Sequence, residues 1–329
     1  MIGLGNIGFQ FDFDRKRSKT WSHVSAYRKN NRTRLAAVVE IDEAKVTKFR
    51  QYVTGIPVYK TVDSLFKNED IDIISVCTPT TTHYEIVRRI CRYPVKAIFC
   101  EKPLSSGVSR AAKMIRMCKE NKIILAVNHI RRWDSAYLFA ERFIKDGKIG
   151  KIKAVNLFYS GQVFNIGTHL FDAVRMIVQK DAEAVSGVSG NSKIADPSIS
   201  GWIAFGGGII CTLGTVDRRE DLLFEIDAIG DKGRIRILEN GAKIEWYTFN
   251  ESRNYSGYQE LVPKRFDHPK DNDSLVDAVG NICDVVSGKN TDINCSGQDG
   301  LEALRISASL AMSAKNGGRV VRLRREDAK

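Results

Sequence analysis

The chain has 329 residues, of which 43% are hydrophobic and 27% are charged. These proportions are those of an ordinary globular protein, and the length predicts about two domains. They exclude a disordered chain, a collagen-like rod and a coiled coil. The weakly polar stretch 201–214 is too short and too rich in glycine to span a bilayer. Because the first residues lack the basic and apolar regions of a signal peptide, we expect a cytoplasmic protein without a membrane partner.

The net charge of +12 arises from 51 Lys and Arg against 39 Asp and Glu. The basic residues are scattered, and the dense run Arg15-Lys16-Arg17 belongs to no nucleic-acid motif. We therefore expect no nucleic acid as partner, since a basic surplus also suits a phosphorylated small molecule. The seven cysteines are odd in number and form no C-x-x-C pair, so neither a disulfide framework nor a metal site is predicted.

The first 128 residues alternate short β-branched runs with amphipathic helical patterns. Strands are predicted at 35–39, 71–77, 97–100 and 123–127, and helices at 44–52, 84–91 and 108–121. Strands that alternate with helices are typical of βαβ units, whose strands form a parallel sheet. We therefore predict a doubly wound parallel sheet in a first domain over residues 1–128.

The pattern changes after residue 128. A helix is predicted at 135–146, followed by strands at 151–159, 201–213, 222–229 and 234–238 and by a final helix at 301–315. A hairpin turn is predicted at 230–233. Long strands joined by hairpins indicate a mostly antiparallel sheet, so residues 129–329 are predicted to form a second, α/β domain.

The chain opens with a G-x-G-x-x-G motif, made of Gly3, Gly5, Asn6, Ile7 and Gly8 with Leu4. At the start of a series of βα units, this motif makes a tight turn and lets a pyrophosphate approach the backbone and a helix N-terminus. Only two residues precede Gly3, fewer than the ~5 residues usual for a central strand.

The predicted strand 35–39 ends at Glu40. An acid at this place accepts hydrogen bonds from the adenosine ribose and repels a 2′-phosphate, so NAD is favoured over NADP. The spacing from the glycine motif exceeds the usual ~20 residues, which we attribute to a polar, basic insertion at 11–21. A solvated strand end is the alternative for Glu40. The insertion is either a solvated loop or a segment that attracts the cofactor or a phosphate-bearing substrate.

Glu101-Lys102-Pro103 follows the predicted strand 97–100. Ligands of such sheets bind outside the carboxyl ends of the strands, and Pro103 keeps Lys102 out of the helical conformation. We therefore expect Lys102 to face a ligand crevice, with an ordinary surface lysine as the alternative.

His169 and Asp172 lie three residues apart on a predicted helix with an apolar stripe. At this spacing they share one side of the helix, so Asp172 would orient the imidazole. We expect His169 in the first turn, where the positive end of the helix dipole disfavours the imidazolium and leaves a neutral base. A purely structural histidine is the alternative.

Four motifs thus occur in order along the chain, namely the glycine motif, Thr78-Pro79 with His83, Glu101-Lys102-Pro103 and His169-x-x-Asp172. With them, the chain resembles the glucose–fructose oxidoreductase/inositol dehydrogenase (Gfo/Idh/MocA) family over nearly its whole length. The resemblance implies an N-terminal Rossmann domain and a C-terminal α/β domain with an open, mostly antiparallel sheet. It also implies a homodimer or homotetramer built through the exposed face of that sheet.

The resemblance assigns roles to individual residues. Expected around NAD, besides the glycine motif and Glu40, are Thr78, Pro79, His83, Glu101 and Lys102. Lys102 would contact the reacting hydroxyl, and His169 would be the acid/base. Candidate substrate contacts are Lys102, Asn165, His169, Arg131 and Arg132, the two arginines lying in a segment with Asn128 that resembles a family segment near the active site.

The chain departs from the family pattern at Asn165, where many members carry an aspartate four residues before the histidine. An asparagine can hold a hydroxyl but cannot carry a proton, so proton transfer is expected of Lys102 and His169. The segment 160–164 lacks the usual run of glycines, so the resemblance does not carry over the identity of the substrate.

We expect NAD-dependent oxidation of a secondary alcohol, or reduction of the ketone, on a sugar or sugar derivative. The specific expectation is the 3-hydroxyl of a UDP-amino sugar, which suits the basic surplus; inositol or a free sugar is an alternative. A non-catalytic NAD-binding sugar sensor is a further alternative, although such proteins tend to lose the lysine and the histidine that this chain retains. An aldehyde or imine reductase that uses NADPH is disfavoured by Glu40.

Overall fold

The computed structural model describes residues 1–190, 194–216, 218 and 220–323. Its α-helices are α1 (His23–Lys29), α2 (Glu43–Tyr52), α3 (Val62–Asn68), α4 (Thr80–Ile90), α5 (Val108–Glu120), α6 (Ser135–Lys145), α7 (Thr168–Val178), α8 (Ser274–Val286) and α9 (Gly297–Lys315). Its strands are β1 (Val38–Val39), β2 (Val58–Tyr59), β3 (Ile73–Val76), β4 (Ala97–Cys100), β5 (Ile124–Val127), β6 (Ile152–Ser160), β7 (Ala182–Val188), β8 (Ser200–Phe205), β9 (Ile209–Val216), β10 (Phe224–Gly230), β11 (Gly233–Leu238), β12 (Lys243–Glu251), β13 (Gln259–Lys264) and β14 (Val321–Arg322).

The chain forms two compact units. The first joins Met1–Trp133 to Asn272–Leu301, and the second joins Asp134–Asp271 to the chain from Glu302 onward. The predicted boundary at residue 128 assigned everything after it to one domain, whereas the structure returns thirty residues around α8 to the first unit. Hydrophobic periodicity can indicate that a segment is helical, but it does not indicate which sheet the helix packs against. In addition, the sequence analysis did not predict α8.

The sheet of the first unit is parallel, as predicted. Its strands lie in the order β2-β1-Ile2-β3-β4-β5, with Ile2 bridging Val39 on one side and Val76 on the other. This is the order of a doubly wound dinucleotide-binding sheet. Met1 and Ile2 are therefore sufficient to insert as a short central strand between β1 and β3.

The insertion predicted at 11–21 lies between the glycine motif and α1. The carbonyls of Ile7 and Gly8 accept from the amides of His23 and Val24, sixteen residues on instead of four, at 2.9 and 3.1 Å. Twelve residues more than a continuous helix would contain therefore form a loop, after which the helical hydrogen bonding resumes. Aromatic contacts hold the loop against α2, since the ring of Phe9 meets that of Phe49 edge-on at 5.2 Å.

The segment around α8 is fastened to the first unit by polar contacts. The hydroxyl of Thr20 donates to the carboxylate of Asp273 at 2.5 Å, and the guanidinium of Arg32 donates to the carbonyl of Gly280 at 2.7 Å. Further on, the amide of Val127 donates to the carbonyl of Cys295 at 3.1 Å. These bonds join the segment to residues on either side of α1 and to the end of β5.

The second unit is built on a mostly antiparallel sheet, as predicted. Its described strands lie in the order β13-β12-β11-β10-β6-β9-β8-β7-β14, and every neighbouring pair is antiparallel except β6 and β9. One face packs on α6, α7 and the later part of α9, in a core that includes Leu157, Tyr159, Phe171 and Leu310.

The single strand predicted at 201–213 is wrong, because it is a hairpin formed by β8 and β9. Three glycines join the two strands, and Gly207 and Gly208 have φ of +80° and +77°. The backbone reverses there because glycine adopts positive φ without steric cost. Apolar residues on both sides of the turn concealed the break.

The predicted helix 301–315 is part of the longer α9, and its additional first turn packs closely on β5. A Cβ added at Gly300 would lie 2.8 Å from the Cγ2 of Val127. Among the described residues, no helix is both long and apolar enough to cross a membrane.

We expect Gly300→Ala to destabilise the protein. Glycine to alanine inside a helix normally stabilises by ~0.5–1 kcal/mol, but overpacking against Val127 costs ~1–3 kcal/mol. Thermal unfolding should show a lower Tm than wild type. The control is Lys315→Ala at an exposed position of the same helix, which should leave Tm within about 1 °C; a higher Tm for Gly300→Ala would contradict the packing described.

Candidate active site

The three glycines of the opening motif are required for different reasons. Gly3 has a φ of +93°, and a Cβ there would lie 2.9 Å from the carbonyl oxygen of Cys77. A Cβ at Gly8 would lie 2.3 Å from the carbonyl oxygen of Gly3. At Gly5 the nearest atom would be 3.9 Å away, so no protein contact requires a glycine. The space above Gly5, beside the exposed Asn6, is therefore open for a ligand such as the pyrophosphate of a dinucleotide.

Glu40 follows β1 and is buried, with its carboxylate turned toward backbone amides. Oε2 accepts from the amide of Leu4 at 2.7 Å, and Oε1 accepts from those of Ile41 and Asp42 at 2.8 and 3.0 Å. Glu40 therefore ties the glycine loop to the end of β1, a function that its sequence position did not predict. A carboxylate has about four acceptor positions, so three bonds leave capacity for a ribose hydroxyl.

Glu101 is the first residue after β4, and its carboxylate is only 7% exposed. Oε1 accepts from the Nε2 of His23 at 2.9 Å and from the Nδ2 of Asn128 at 2.7 Å. Burial alone would raise the pKa of Glu101, but the hydrogen bonds from His23 and Asn128 outweigh it and lower the pKa below its usual value. Lys102, half-buried, follows directly at the carboxyl end of the strand, and the Lys102–Pro103 peptide bond is cis.

His83 lies between two loops of the site. Its Nε2 faces the carbonyl of Thr78 at 2.8 Å, and its Nδ1 faces those of Pro103 and Leu104 at 3.1 and 3.3 Å. The ring is buried, so both nitrogens are engaged with the protein backbone. The role expected for His83 was a contact near the dinucleotide; the geometry instead favours an indirect role, in which it connects the loop after β3 to the loop of Lys102.

Thr78 and Pro79 lie in the loop between β3 and α4. The methyl carbon of Thr78 would lie 3.1 Å from a Cβ at Gly3, so this loop touches the glycine motif. The hydroxyl of Thr78 accepts from that of Thr82 at 2.7 Å, and Pro79 is exposed. The first unit therefore gathers the glycine loop, Glu40, the Thr78 loop and the Glu101 loop at the carboxyl edge of one parallel sheet.

The candidate substrate contact Arg132 already has partners within the first unit. Its guanidinium donates to the carboxylate of Asp299 at 2.9 Å and to the carbonyl of Asn294 at 3.2 Å, and its side chain is 13% exposed. These bonds make Arg132 a link between the segment after β5 and the start of α9. Arg131 is half-buried beside it.

The residues predicted on the second unit lie in and after an unusual helical turn. Val163–Gly167 forms a π-helical turn that continues directly into α7. Asn165 in this turn is exposed, His169 is half-buried, and Asp172 is fully buried. Single π turns are frequent at functional sites because they redirect side chains.

The expected effect of a helix dipole on His169 loses its basis in this structure. Helical backbone begins at Val163, before α7, so the free amides at its start belong to Phe164 and Asn165. Both are capped by Asp196, whose Oδ1 and Oδ2 accept from them at 2.8 and 3.2 Å. Asp196 was not singled out from the sequence, because it lies thirty residues away and belongs to no motif.

His23 was also missed, although a signal was present. When the twelve inserted residues are left out, His23 follows Gly8 by three residues. The insertion separated it from the glycine motif, so His23 was not selected among the five histidines of the chain.

The fold and the glycine loop of the first unit are those of a dinucleotide-binding domain. Residues 1–129 match the model of the Gfo/Idh/MocA family, an oxidoreductase family with an NAD-binding Rossmann fold. This match lies within the first unit. The chain is 30% identical over 178 residues to the inositol 2-dehydrogenase of Rhizobium meliloti (strain 1021), a match that covers 50% of this chain and 53% of that enzyme. The chain thus spans about half the length of that relative.

Solved structures resemble the chain over nearly its full length. The WlbA dehydrogenase from Bordetella pertussis, in complex with NADH and UDP-GlcNAcA, has a TM-score of 0.80 at 15% identity and covers 98% of this chain and 96% of its own. The aldose-aldose oxidoreductase from Caulobacter crescentus has a TM-score of 0.78 at 21% identity and covers 98% of each chain. At these identities the likeness shows the fold alone.

Alanine at Gly5 and alanine at Gly8 should affect different properties, namely NADH binding at Gly5 and protein stability at Gly8. Gly5→Ala fits the protein but enters the open space, so we expect an unchanged Tm and at least about tenfold weaker NADH binding. Gly8→Ala meets a carbonyl oxygen and should lower stability by roughly 2 kcal/mol or more. Fluorescence titration with NADH and thermal unfolding measure the two effects; unchanged NADH binding by Gly5→Ala would contradict this placement of the cofactor.

Proposed function

We propose that the protein is an NAD-dependent dehydrogenase that acts on a secondary alcohol, or the corresponding ketone, of a sugar or sugar derivative. The observation that carries the proposal is the assembly of the glycine loop, Glu40 and the Glu101-Lys102 loop at one edge of the parallel sheet. The first two suit a dinucleotide, and the third supplies an amine at the place where such sheets bind substrates.

The chain's own residues handle the substrate oxygen. The glycine loop and Glu40 would hold NAD, whose nicotinamide ring would supply the hydride acceptor for the carbinol carbon. The Lys102 ammonium polarises the hydroxyl oxygen, and the imidazole of His169 takes the hydroxyl proton as the C–H bond breaks. Asp172 orients that imidazole, and Asn165 holds a substrate hydroxyl without transferring a proton. A well-placed acid/base contributes ~10²–10⁴-fold to the rate.

The cofactor preference rests on Glu40. Its carboxylate is buried and already accepts three backbone amides. A 2′-phosphate beside it would place two anions together in a poorly solvated site, whereas ribose hydroxyls are donors that the carboxylate can accept. NAD is therefore proposed over NADP.

For the substrate, we propose a UDP-amino sugar oxidised at its 3-hydroxyl. The net charge of +12 favours an anionic, phosphate-bearing substrate. The fold shared with a dehydrogenase crystallised with NADH and UDP-GlcNAcA is compatible with this choice. Inositol is the second candidate, favoured by the sequence likeness to an inositol 2-dehydrogenase.

Replacing either proposed catalytic residue should abolish most turnover without preventing cofactor binding. We expect Lys102→Ala and His169→Ala to lower kcat by ~10²-fold or more. Both variants should still bind NADH with near-normal affinity, measured by fluorescence titration. Turnover is measured against a panel of UDP-amino sugars, inositols and free sugars.

Two exposed residues serve as matched controls for these variants. Lys96→Ala removes a lysine just before β4, and His268→Ala removes an exposed histidine of the second unit; both should keep normal rates. Near-normal turnover by Lys102→Ala or His169→Ala would refute its assignment. NADH binding by the wild type without turnover of any panel member would favour a sugar sensor.

We further propose that the open face of the antiparallel sheet joins copies of this chain. Phe158 on β6 and Ile210 on β9 are 45% and 44% exposed on this face, and Val216 is 39% exposed. Gly214 lies opposite Phe158 across the strands, and a Cβ there would be 3.0 Å from the ring, so the ring lies flat along β9. Such an apolar strip is typical of a homo-oligomer interface.

Charge on this strip should dissociate the oligomer. We expect Phe158→Lys or Ile210→Lys to reduce the mass measured by light scattering to that of a monomer, because a lysine in a packed interface is left unpaired. Met312→Lys, at an exposed position of α9, should leave the mass unchanged. A wild type that is monomeric at micromolar concentration would refute this interface.

A further inference from the structure

We propose that His23 is a positioning residue for Glu101, which it holds so that Oε1 is occupied by protein donors and Oε2 is free to accept a hydroxyl of the nicotinamide ribose. The inference rests on the proposed function and on the expectation that Glu101 lies beside bound NAD. It adds a residue that lies outside the family motifs quoted above and that touches neither substrate nor cofactor.

His23 is the middle of a buried chain of hydrogen bonds. The hydroxyls of Tyr27 and Ser75 are 2.8 Å apart, the Oγ of Ser75 is 2.9 Å from the Nδ1 of His23, and the Nε2 of His23 is 2.9 Å from Glu101. All four residues are at least nine-tenths buried. Water therefore does not compete with these bonds, and their donors and acceptors must match.

With Glu101 ionised and the imidazole of His23 neutral, one arrangement of donors and acceptors satisfies this chain. A carboxylate only accepts, so the Nε2 of His23 must donate to it. With a neutral imidazole, Nδ1 then accepts from the hydroxyl of Ser75, which in turn accepts from Tyr27. Burial raises the pKa of Tyr27 and keeps its phenol protonated as the terminal donor. The tautomer of His23 is thus set by Glu101, and the hydroxyls of Ser75 and Tyr27 complete the chain with matching donors.

The two oxygens of Glu101 end in different states. Oε1 accepts from both His23 and Asn128, at 2.9 and 2.7 Å. Oε2 meets the amide of Lys102 at 3.3 Å, a long bond, and keeps acceptor capacity. The carboxylate is thereby locked in rotation, with Oε2 as the oxygen that a ribose hydroxyl would meet.

The backbone of His23 reaches the other half of the cofactor site. Its amide donates to the carbonyl of Ile7 in the glycine loop at 2.9 Å. One residue thus connects the loop proposed for the pyrophosphate to the carboxylate proposed for the nicotinamide ribose. The twelve-residue insertion precedes His23 and preserves this connection, because it returns in register.

The test compares two ligands that share the adenosine half. NADH carries the nicotinamide ribose and ADP does not. We expect His23→Leu to weaken NADH binding by ~10- to 100-fold, since a hydrogen bond to a buried charge is lost, and to change ADP binding less than about twofold. His23→Gln, which can still donate to Glu101, should recover most of the NADH affinity. Titrations by calorimetry on the full chain measure both ligands.

Ser75→Ala gives a milder second variant in case His23→Leu does not fold. It removes the partner of Nδ1 and should weaken NADH binding by a few-fold, with ADP again unchanged; in the His23→Gln background it should have no further effect on NADH binding. Equal loss of NADH and ADP affinity in His23→Leu, or no loss of either in both variants, overturns the proposal. These titrations need no turnover, so the role of His23 can fail while Lys102→Ala still supports the dehydrogenase, and the reverse.

Discussion

The first unit depends on the burial of one carboxylate. Glu101 is removed from water at the end of β4, and an ion in such a place is tolerated only when protein donors surround it. Those donors come from α1 through His23 and from the end of β5 through Asn128. Satisfying this charge therefore aligns a helix and two strand ends, and it leaves Lys102 at the rim of the same edge.

A second buried carboxylate, that of Glu40, accepts hydrogen bonds on the other side of the glycine loop. Glu40 accepts from Leu4, so the loop is held between the ends of β1 and β4 by two buried acids. The close contacts at Gly3 and Gly8 then leave Gly5 as the one glycine of the motif with open space above it. An insertion of twelve residues is accommodated beside this arrangement because it enters and leaves the helix at hydrogen-bonded positions. The amides that follow the insertion donate to the carbonyls that precede it, as they would in an uninterrupted helix.

The sequence predicted much of this, and its failures share one cause. The βαβ alternation and the glycine motif depend on residues close in the chain, and they predicted the parallel sheet and the cofactor edge. The hairpin at 206–208 was missed because its glycines stand in an apolar run. The roles of His83 and Arg132 could not be predicted, because their partners are carbonyls and carboxylates at distant positions. The dipole expected at His169 failed because Asp196 caps a π turn that no local pattern encodes.

The amino-acid sequence by itself determined the fold class, the glycine motif and the positions of the lysine and histidine motifs. Each of these features is encoded by the spacing of residues along the chain, because hydrophobic periodicity and tight turns depend on residues that are close in sequence. Only the tertiary structure decided which acid is buried, which oxygen of Glu101 remains open and which helix joins the first unit. Those outcomes depend on desolvation and on donors from separate elements, and a linear pattern contains no information on which distant groups will meet.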